Sequence, residues 1–203
     1  MNENKNLPPV NPGSHRVVFI GDSITEFWKD KDSSFFKDNG FINRGISSQV
    51  TEHILVRFRQ DVINLKPDVV VILAGINDIA ENNGPTTLEN TFNNIVSMIE
   101  LARLHNIKVV LCSVLPAVDF FWRKGLQPAE KVIQLNAMLK SYTDENNIVF
   151  VDYHSAMVDE RKGMDKKYAD DEVHPTLAGY KIMEPLVMEG INEALKNNES
   201  PDQ

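Results

Sequence analysis

One cysteine in 203 residues, Cys112, leaves no partner for an internal disulfide. Its setting, Val109-Val110-Leu111-Cys112-Ser113, suggests a buried thiol filling a strand. No apolar run approaches the roughly 20 residues needed to cross a bilayer, so no integral membrane segment is expected. Positive charge is scarce: 21 Lys and Arg against 29 Asp and Glu give a formal charge of -8 and an isoelectric point near 5.1. A polyanion needs a basic face to displace its counterions, so nucleic acid is excluded as partner or substrate. Neutral, apolar or uncharged-sugar molecules fit better. Asp165, Asp170 and Asp171 lie close together, but no His/Cys spacing of a zinc site and no calcium-loop pattern accompanies them. Neither a metal nor a cofactor is expected.

The length suits one well-cored domain. Residues 1–15 are polar, with Pro8, Pro9 and Pro12, and suggest a flexible leader without the apolar stretch of an export signal. The chain as written is expected to be soluble, and exported only if a signal stood upstream of it. A single domain is expected over 16–198. There, short apolar runs alternate with segments of helical period, the pattern of parallel strands joined by crossover helices. Candidate strands are Val17 to Ile20, Phe41 to Asn43, Val69 to Leu73, Val109 to Ser113 and Ile148 to Val151. Several are apolar throughout, as strands covered by helices on both faces should be. Phe92, Ile95, Ile99 and Ala102, and again Val132, Leu135, Leu139 and Tyr142, recur at helical steps. Further helices are predicted from about Thr51 to Leu65 and from about Thr176 into Lys196-Asn197-Asn198-Glu199.

An open parallel sheet binds ligands beyond the carboxyl ends of its strands. Small and polar residues gather there: Gly21-Asp22-Ser23-Ile24 after the first strand, Gly45 after the second, and Gly75-Ile76-Asn77-Asp78 after the third. A later loop supplies Asp171-Glu172-Val173-His174-Pro175. A serine hydroxyl is a poor nucleophile until an imidazole takes its proton, a role that fits His174. A carboxylate three places ahead can hold the ring's tautomer, which fits Asp171. Asp170, four places ahead, is a rival, and spacing leaves both open. The backbone N–H groups of Ser23 and Gly45 and the amide of Asn77 could receive an oxyanion. Singly, each motif has a plain structural role as a helix cap, turn or loop-to-helix junction. All of them at strand ends or helix starts, in compatible order, point to one site. The other histidines, His15, His53, His105 and His154, have no such pattern around them.

In this order the blocks resemble those of the SGNH hydrolases, the GDSL lipase/esterase superfamily, from about Val17 to Tyr180. The one departure in the first block is Ile24 where leucine is usual, a volume-conserving change. No Gly-x-Ser-x-Gly elbow of the other common hydrolase fold is present. The resemblance implies an α/β fold, a three-layer α/β/α sandwich on a flavodoxin-like five-stranded parallel sheet. It also implies Ser23 as nucleophile, His174 as base, Asp171 rather than Asp170 as its partner, and Ser23, Gly45 and Asn77 as the oxyanion hole. Asn43-Arg44-Gly45-Ile46-Ser47 and Lys66-Pro67-Asp68 look most like the compact branch containing the platelet-activating-factor acetylhydrolase catalytic subunits and bacterial O-acetylesterases.

The expected activity is therefore hydrolysis of short-chain, acetyl-type esters of a carbohydrate or other small molecule through an acyl-enzyme. Lysophospholipid or thioester hydrolysis on longer chains is the alternative, and a non-catalytic glycan-binding module the alternative of another class. Ser23, Asn77, Asp171 and His174 all persist, which counts against the last. Ile76, Ile79, Val118, Phe120, Phe121 and Trp122 are the candidates for an acyl pocket. The expected partner is a small-molecule ester; oligomeric state is not legible.

Overall fold

In the computed structural model, residues 15–196 are described. All of the expected leader except His15, and the last two residues of the expected domain, lie outside them.

Five strands form one sheet, β1 (Val17–Gly21), β2 (Ile42–Gly45), β3 (Val69–Leu73), β4 (Lys108–Cys112) and β5 (Val149–Val151). Every pairing is parallel and the order is β2-β1-β3-β4-β5. β1 and β3 consist of buried residues from end to end, which explains why both lack the alternation of a one-sided sheet. β2, on an edge, is only half-buried.

Among the described residues, eight α-helices connect and cover the strands: α1 (Ser23–Lys31), α2 (Ser33–Asn39), α3 (Thr51–Asp61), α4 (Ile76–Ile79), α5 (Leu88–Leu104), α6 (Ala129–Asn146), α7 (Tyr153–Met157) and α8 (Leu177–Lys196). α3, α5 and α6 pack side by side as one layer; α1, α7 and α8 belong to the other. The helix expected over 51–65 stops at Asp61 and finishes as a 3₁₀ turn, Ile63–Leu65.

The α1 side holds an aromatic cluster. Trp28 stacks on Phe35 at 5.3 Å and on Tyr180 at 5.1 Å, and Phe19 meets Trp28 edge-on at 5.7 Å. The Tyr180 hydroxyl donates to the Ile24 carbonyl in α1 at 2.7 Å. A buried phenol needs such a partner, and this one locks the start of α8 to the start of α1.

The register places Gly21 level with both Gly45 and Leu73. The chain leaves β1, β2 and β3 at the same height, and it leaves β1 and β3 where the strand order reverses. A crevice opens at such a switch point, because successive crossovers diverge to opposite faces.

Candidate active site

Ser23 is the first residue of α1. Asp22 caps the helix, its carboxylate accepting the Ile24 N–H at 3.0 Å, so the serine is free of capping duty and its hydroxyl faces the crevice. Ser23 Oγ lies 2.9 Å from His174 Nε2, and His174 Nδ1 lies 2.7 Å from Asp171 Oδ2. The other Asp171 oxygen accepts the backbone N–H groups of Val173 at 3.0 Å and of His174 at 2.7 Å. Glu172, at φ 67°, turns the loop back so that these groups converge on one carboxylate. Burial alone would raise the Asp171 pKa, but these hydrogen bonds and the imidazole hold it below the ordinary carboxylate value. Asp170 is exposed, and it is the Asp171 carboxylate that meets the His174 ring.

The loop reaches the crevice through local pairing. Ala169 and Pro175 form a bridge and Thr176 N–H donates to the Tyr168 carbonyl at 2.7 Å. The Tyr180 bond to Ile24 then ties this end of the chain to the helix that bears Ser23.

A cavity of about 630 Å³ surrounds the row, lined by Ser23, Phe27, Ser47, Ser48, Asn77, Asn82, Phe121, Trp122, Asp171 and His174. A groove at the opposite end of the sheet, by Arg103 and Lys108, holds none of these groups. Gly45 is not among the lining residues, which corrects the expectation for it. Its N–H is bonded to Asn43 Oδ1 at 2.8 Å. A Cβ there would come within 2.1 Å of the Glu26 backbone nitrogen, so the glycine is required by the close approach of β2 to α1. Ser48 faces the cavity instead. It takes the left-handed conformation, φ 64°, and its backbone N–H donates to no acceptor among the described residues. Glu26 anchors the segment by accepting the N–H of Ser47 at 2.7 Å together with its hydroxyl, and Arg57 braces it through Gln49 Oε1 at 2.6 Å and the Arg44 and Gly21 carbonyls at 2.8 Å.

Asn77 stands in α4, entered through Gly75 at φ 121°, where a side chain would be strained. Its Nδ2 donates to the Gln49 carbonyl at 3.1 Å and its Oδ1 accepts from Asn82 Nδ2 at 2.7 Å. The neighbouring Asp78 is structural: its carboxylate accepts the N–H of Thr51 at 2.9 Å and caps α3.

Of the expected acyl-pocket residues, Ile76, Ile79 and Phe120 are core side chains, and Val118 packs over Gly163. Phe121 and Trp122 do line the cavity, with their exposed surfaces at 59% and 37%. Phe27, its ring centroid 5.4 Å from that of His174, completes the wall. It sits one helical turn after Ser23, so the i,i+4 spacing was a legible signal once α1 was recognised. Ser47, Ser48 and Asn82 carry no comparable signal.

Asp22 is 1% exposed, and burial raises its pKa to about 7, with the nearby Asp78 charge adding to the rise against the Ile24 N–H and Arg57. Between the ordinary value of 3.8 and about 7, the folded protein holds a proton that the unfolded chain has released. The stability it brings is full below that window and lost as pH rises through it. Asp22→Asn keeps a capping oxygen and removes the loss. In thermal melts the variant should exceed the parent by roughly 5–10 °C at about pH 8 and by little at about pH 4; an equal difference at both would show that Asp22 does not titrate there.

Comparison with known proteins agrees with this architecture. The model of a family described as GDSL-like lipase/acylhydrolase matches residues 19–182. A GDSL-like lipase from Bacteroides thetaiotaomicron VPI-5482, known from its crystal structure, is 48% identical, with a TM-score of 0.92 and coverage of 95% of each chain. An acetylxylan esterase of Geobacillus stearothermophilus is 26% identical over 196 residues, covering 83% of this chain and 90% of that protein. The uncharacterized lipoprotein YqeF of Bacillus subtilis is 35% identical over 81 residues, 38% of this chain, which spans 33% of that relative's length.

Proposed function

Because the chain belongs to the GDSL-like lipase/acylhydrolase family and is a carboxylic ester hydrolase, we propose that it removes acetyl-type groups from a carbohydrate or similar small alcohol by an acyl-enzyme route. The observation that carries this reading is the unbroken row Ser23 Oγ, His174 Nε2, His174 Nδ1, Asp171 Oδ2, open to the cavity at its serine end.

His174 Nε2 takes the Ser23 proton as Oγ bonds to the ester carbon. Charge moves to the carbonyl oxygen, which faces the N–H groups of Ser23 and Ser48 and the Asn77 amide. The alcohol leaves with the proton from Nε2, and Ser23 retains the acyl group. Water then repeats the sequence: Nε2 accepts its proton, its oxygen attacks, and Ser23 is released with the carboxylic acid. Asp171 stays ionised throughout and stabilises the imidazolium.

The acyl side supports a short chain. Ile76, Ile79 and Phe120, the side chains that could have lined an apolar tunnel below Ser23, are packed into the core. The alcohol side supports a sugar. Phe121 and Trp122 present open aromatic faces at the cavity, and an apolar body with a polar handle suits a ring that is apolar on its faces and polar at its edges. The acetylxylan esterase relative is consistent with the same class.

Exposed Phe121 also offers a surface for a longer acyl chain, and a chain-length series separates the two. With p-nitrophenyl esters from acetyl to octanoyl, beside acetylated xylo-oligosaccharides, kcat/KM should be at least about 10-fold higher for acetyl than for octanoyl. Preference for octanoyl would replace the acetyl reading with one on lysophospholipid-like or thioester substrates.

A further inference from the structure

An asparagine amide can serve an oxyanion only when its NH₂ end, not its carbonyl end, faces the substrate. Asn77 itself has no means of choosing. The choice is made through a chain of hydrogen bonds whose ends have fixed polarity. At one end stands the Trp122 indole, whose Nε1–H can only donate; it lies 2.9 Å from Asn82 Oδ1. At the other stands the Gln49 main-chain carbonyl, which can only accept and receives Asn77 Nδ2 at 3.1 Å. Between them, Asn82 Nδ2 donates to Asn77 Oδ1 at 2.7 Å. Reversing the Asn82 amide would set NH₂ against the indole N–H, and reversing that of Asn77 would set two carbonyl oxygens together beside Gln49. In the arrangement present every end is matched, and the second proton on Asn77 Nδ2 is left for the cavity.

The backbone keeps the chain in register. Glu81, at φ 54°, reverses the segment after α4 so that Asn82 N–H reaches the Asn77 carbonyl at 3.0 Å. The two asparagines are thus joined through both main chain and side chain. Arg123 then clamps the aromatic segment to the same turn, donating to the Glu81 carbonyl at 2.6 Å and to its carboxylate at 2.9 Å. Trp122 packs against Phe120 at 5.0 Å and Phe121 at 4.8 Å, with its ring 6.1 Å from that of His174.

We propose that Trp122 and Asn82 are positioning residues for the reaction: the directional chain Trp122 to Asn82 to Asn77 to Gln49 turns the Asn77 nitrogen toward the developing oxyanion. Trp122 therefore acts in turnover as well as forming a wall, and substrate covering the indole shields its outer hydrogen bonds from water. This rests on the reading of Asn77 as an oxyanion donor.

Two variants interrupt the chain, the first of them isosteric. Asn82→Asp still accepts from the indole but cannot donate to Asn77, so the Asn77 amide is drawn round to offer its nitrogen to the new carboxylate. Trp122→Phe keeps an aromatic ring in the wall, smaller than the indole, and removes the polarity-setting N–H. Full-length protein would be assayed on p-nitrophenyl acetate, each variant alone and combined with Asn77→Ala, with melting temperatures recorded in parallel. Asn82→Asp should lower kcat by about 10²-fold, the scale of a lost oxyanion donor, with KM changed by less than about 3-fold. Trp122→Phe should lower kcat in the same sense and less. In the Asn77→Ala background neither should lower kcat further, because there is no amide left to orient. Losses confined to KM, or equal losses with and without Asn77, would overturn the proposal, since both describe side chains that merely touch substrate. Ser23→Ala separates this from the parent reading: if that variant stays active, the nucleophile assignment has failed; if it is inactive while Asn82→Asp keeps full kcat, the positioning chain has failed.

Discussion

Ser23→Ala is expected to lower kcat on p-nitrophenyl acetate by about 10⁶-fold, leaving only what binding and oxyanion stabilisation achieve without a nucleophile. The fold should tolerate the change. Asp22, not Ser23, caps α1, and alanine is the best helix former for the position that follows. The hydroxyl's one described side-chain partner is His174 Nε2, a half-buried bond worth about 1 kcal/mol. A shift of that size moves the midpoint of a chain this long by about 2–4 °C. The pair of measurements therefore tests role apart from stability. Turnover that survives in a variant melting with the parent would remove Ser23 as nucleophile, and with it the acyl-enzyme route.

How much could be read beforehand depended on what determines each element. β3 was legible to the residue because Val69–Leu73 is buried on both faces, so composition alone marks its length. β2 slid by one or two positions, since an edge strand of half-buried residues such as Ile42 and Asn43 has no continuous apolar signature. Helices α5 and α6 showed their period because each lays one buried stripe against its neighbours. α1 and α2 did not: their buried aromatics Trp28, Phe35 and Phe36 face a cluster with Phe19 and Tyr180, and that packing is fixed by tertiary neighbours rather than by a long local repeat.

The site divides in the same way. Ser23, Asn77, Asp171 and His174 stand in short motifs whose chemistry is local, so they were nameable in sequence. The loop after β2 was not. Gly45 drew notice as a glycine after a strand, yet its glycine serves the approach of β2 to α1. The residue that takes the left-handed conformation at the cavity is Ser48, and nothing about a serine announces a positive φ. Asn82 was equally hidden, because its meaning lies in partners 5 and 40 positions away, Asn77 and Trp122. Ile76, Ile79 and Phe120 were expected at the pocket because they follow the third and fourth strands, but apolar side chains there serve the core as well.

Asp171→Asn should reduce kcat by about 10⁴-fold while leaving the loop in place. One end of the carboxylate accepts the N–H groups of Val173 and His174 and the other faces His174 Nδ1. An asparagine can satisfy both backbone donors with its oxygen, so the geometry is kept. Its nitrogen then meets Nδ1, and the ring can accept that hydrogen bond only by carrying its proton on Nε2. An imidazole in that tautomer presents a donor to Ser23 Oγ and cannot take the serine's proton. The loss is one of proton placement, so KM should change far less than kcat. Because hydrogen bonding holds the Asp171 pKa below the ordinary carboxylate value against the effect of burial, the wild-type carboxylate is charged at every pH above about 4, and the gap between the two proteins should persist across that range. The carboxylate's contribution to stability is present above its unfolded pKa and is lost only as pH falls through the lower folded one, so the acid limb of the melting curve should flatten in the variant. Asp170→Asn is the matched control: exposed and one residue away, it should stay within about 2-fold of the parent. If the control fell by as much as Asp171→Asn, or if Asp171→Asn kept its turnover, the carboxylate that orients His174 would have to be sought elsewhere.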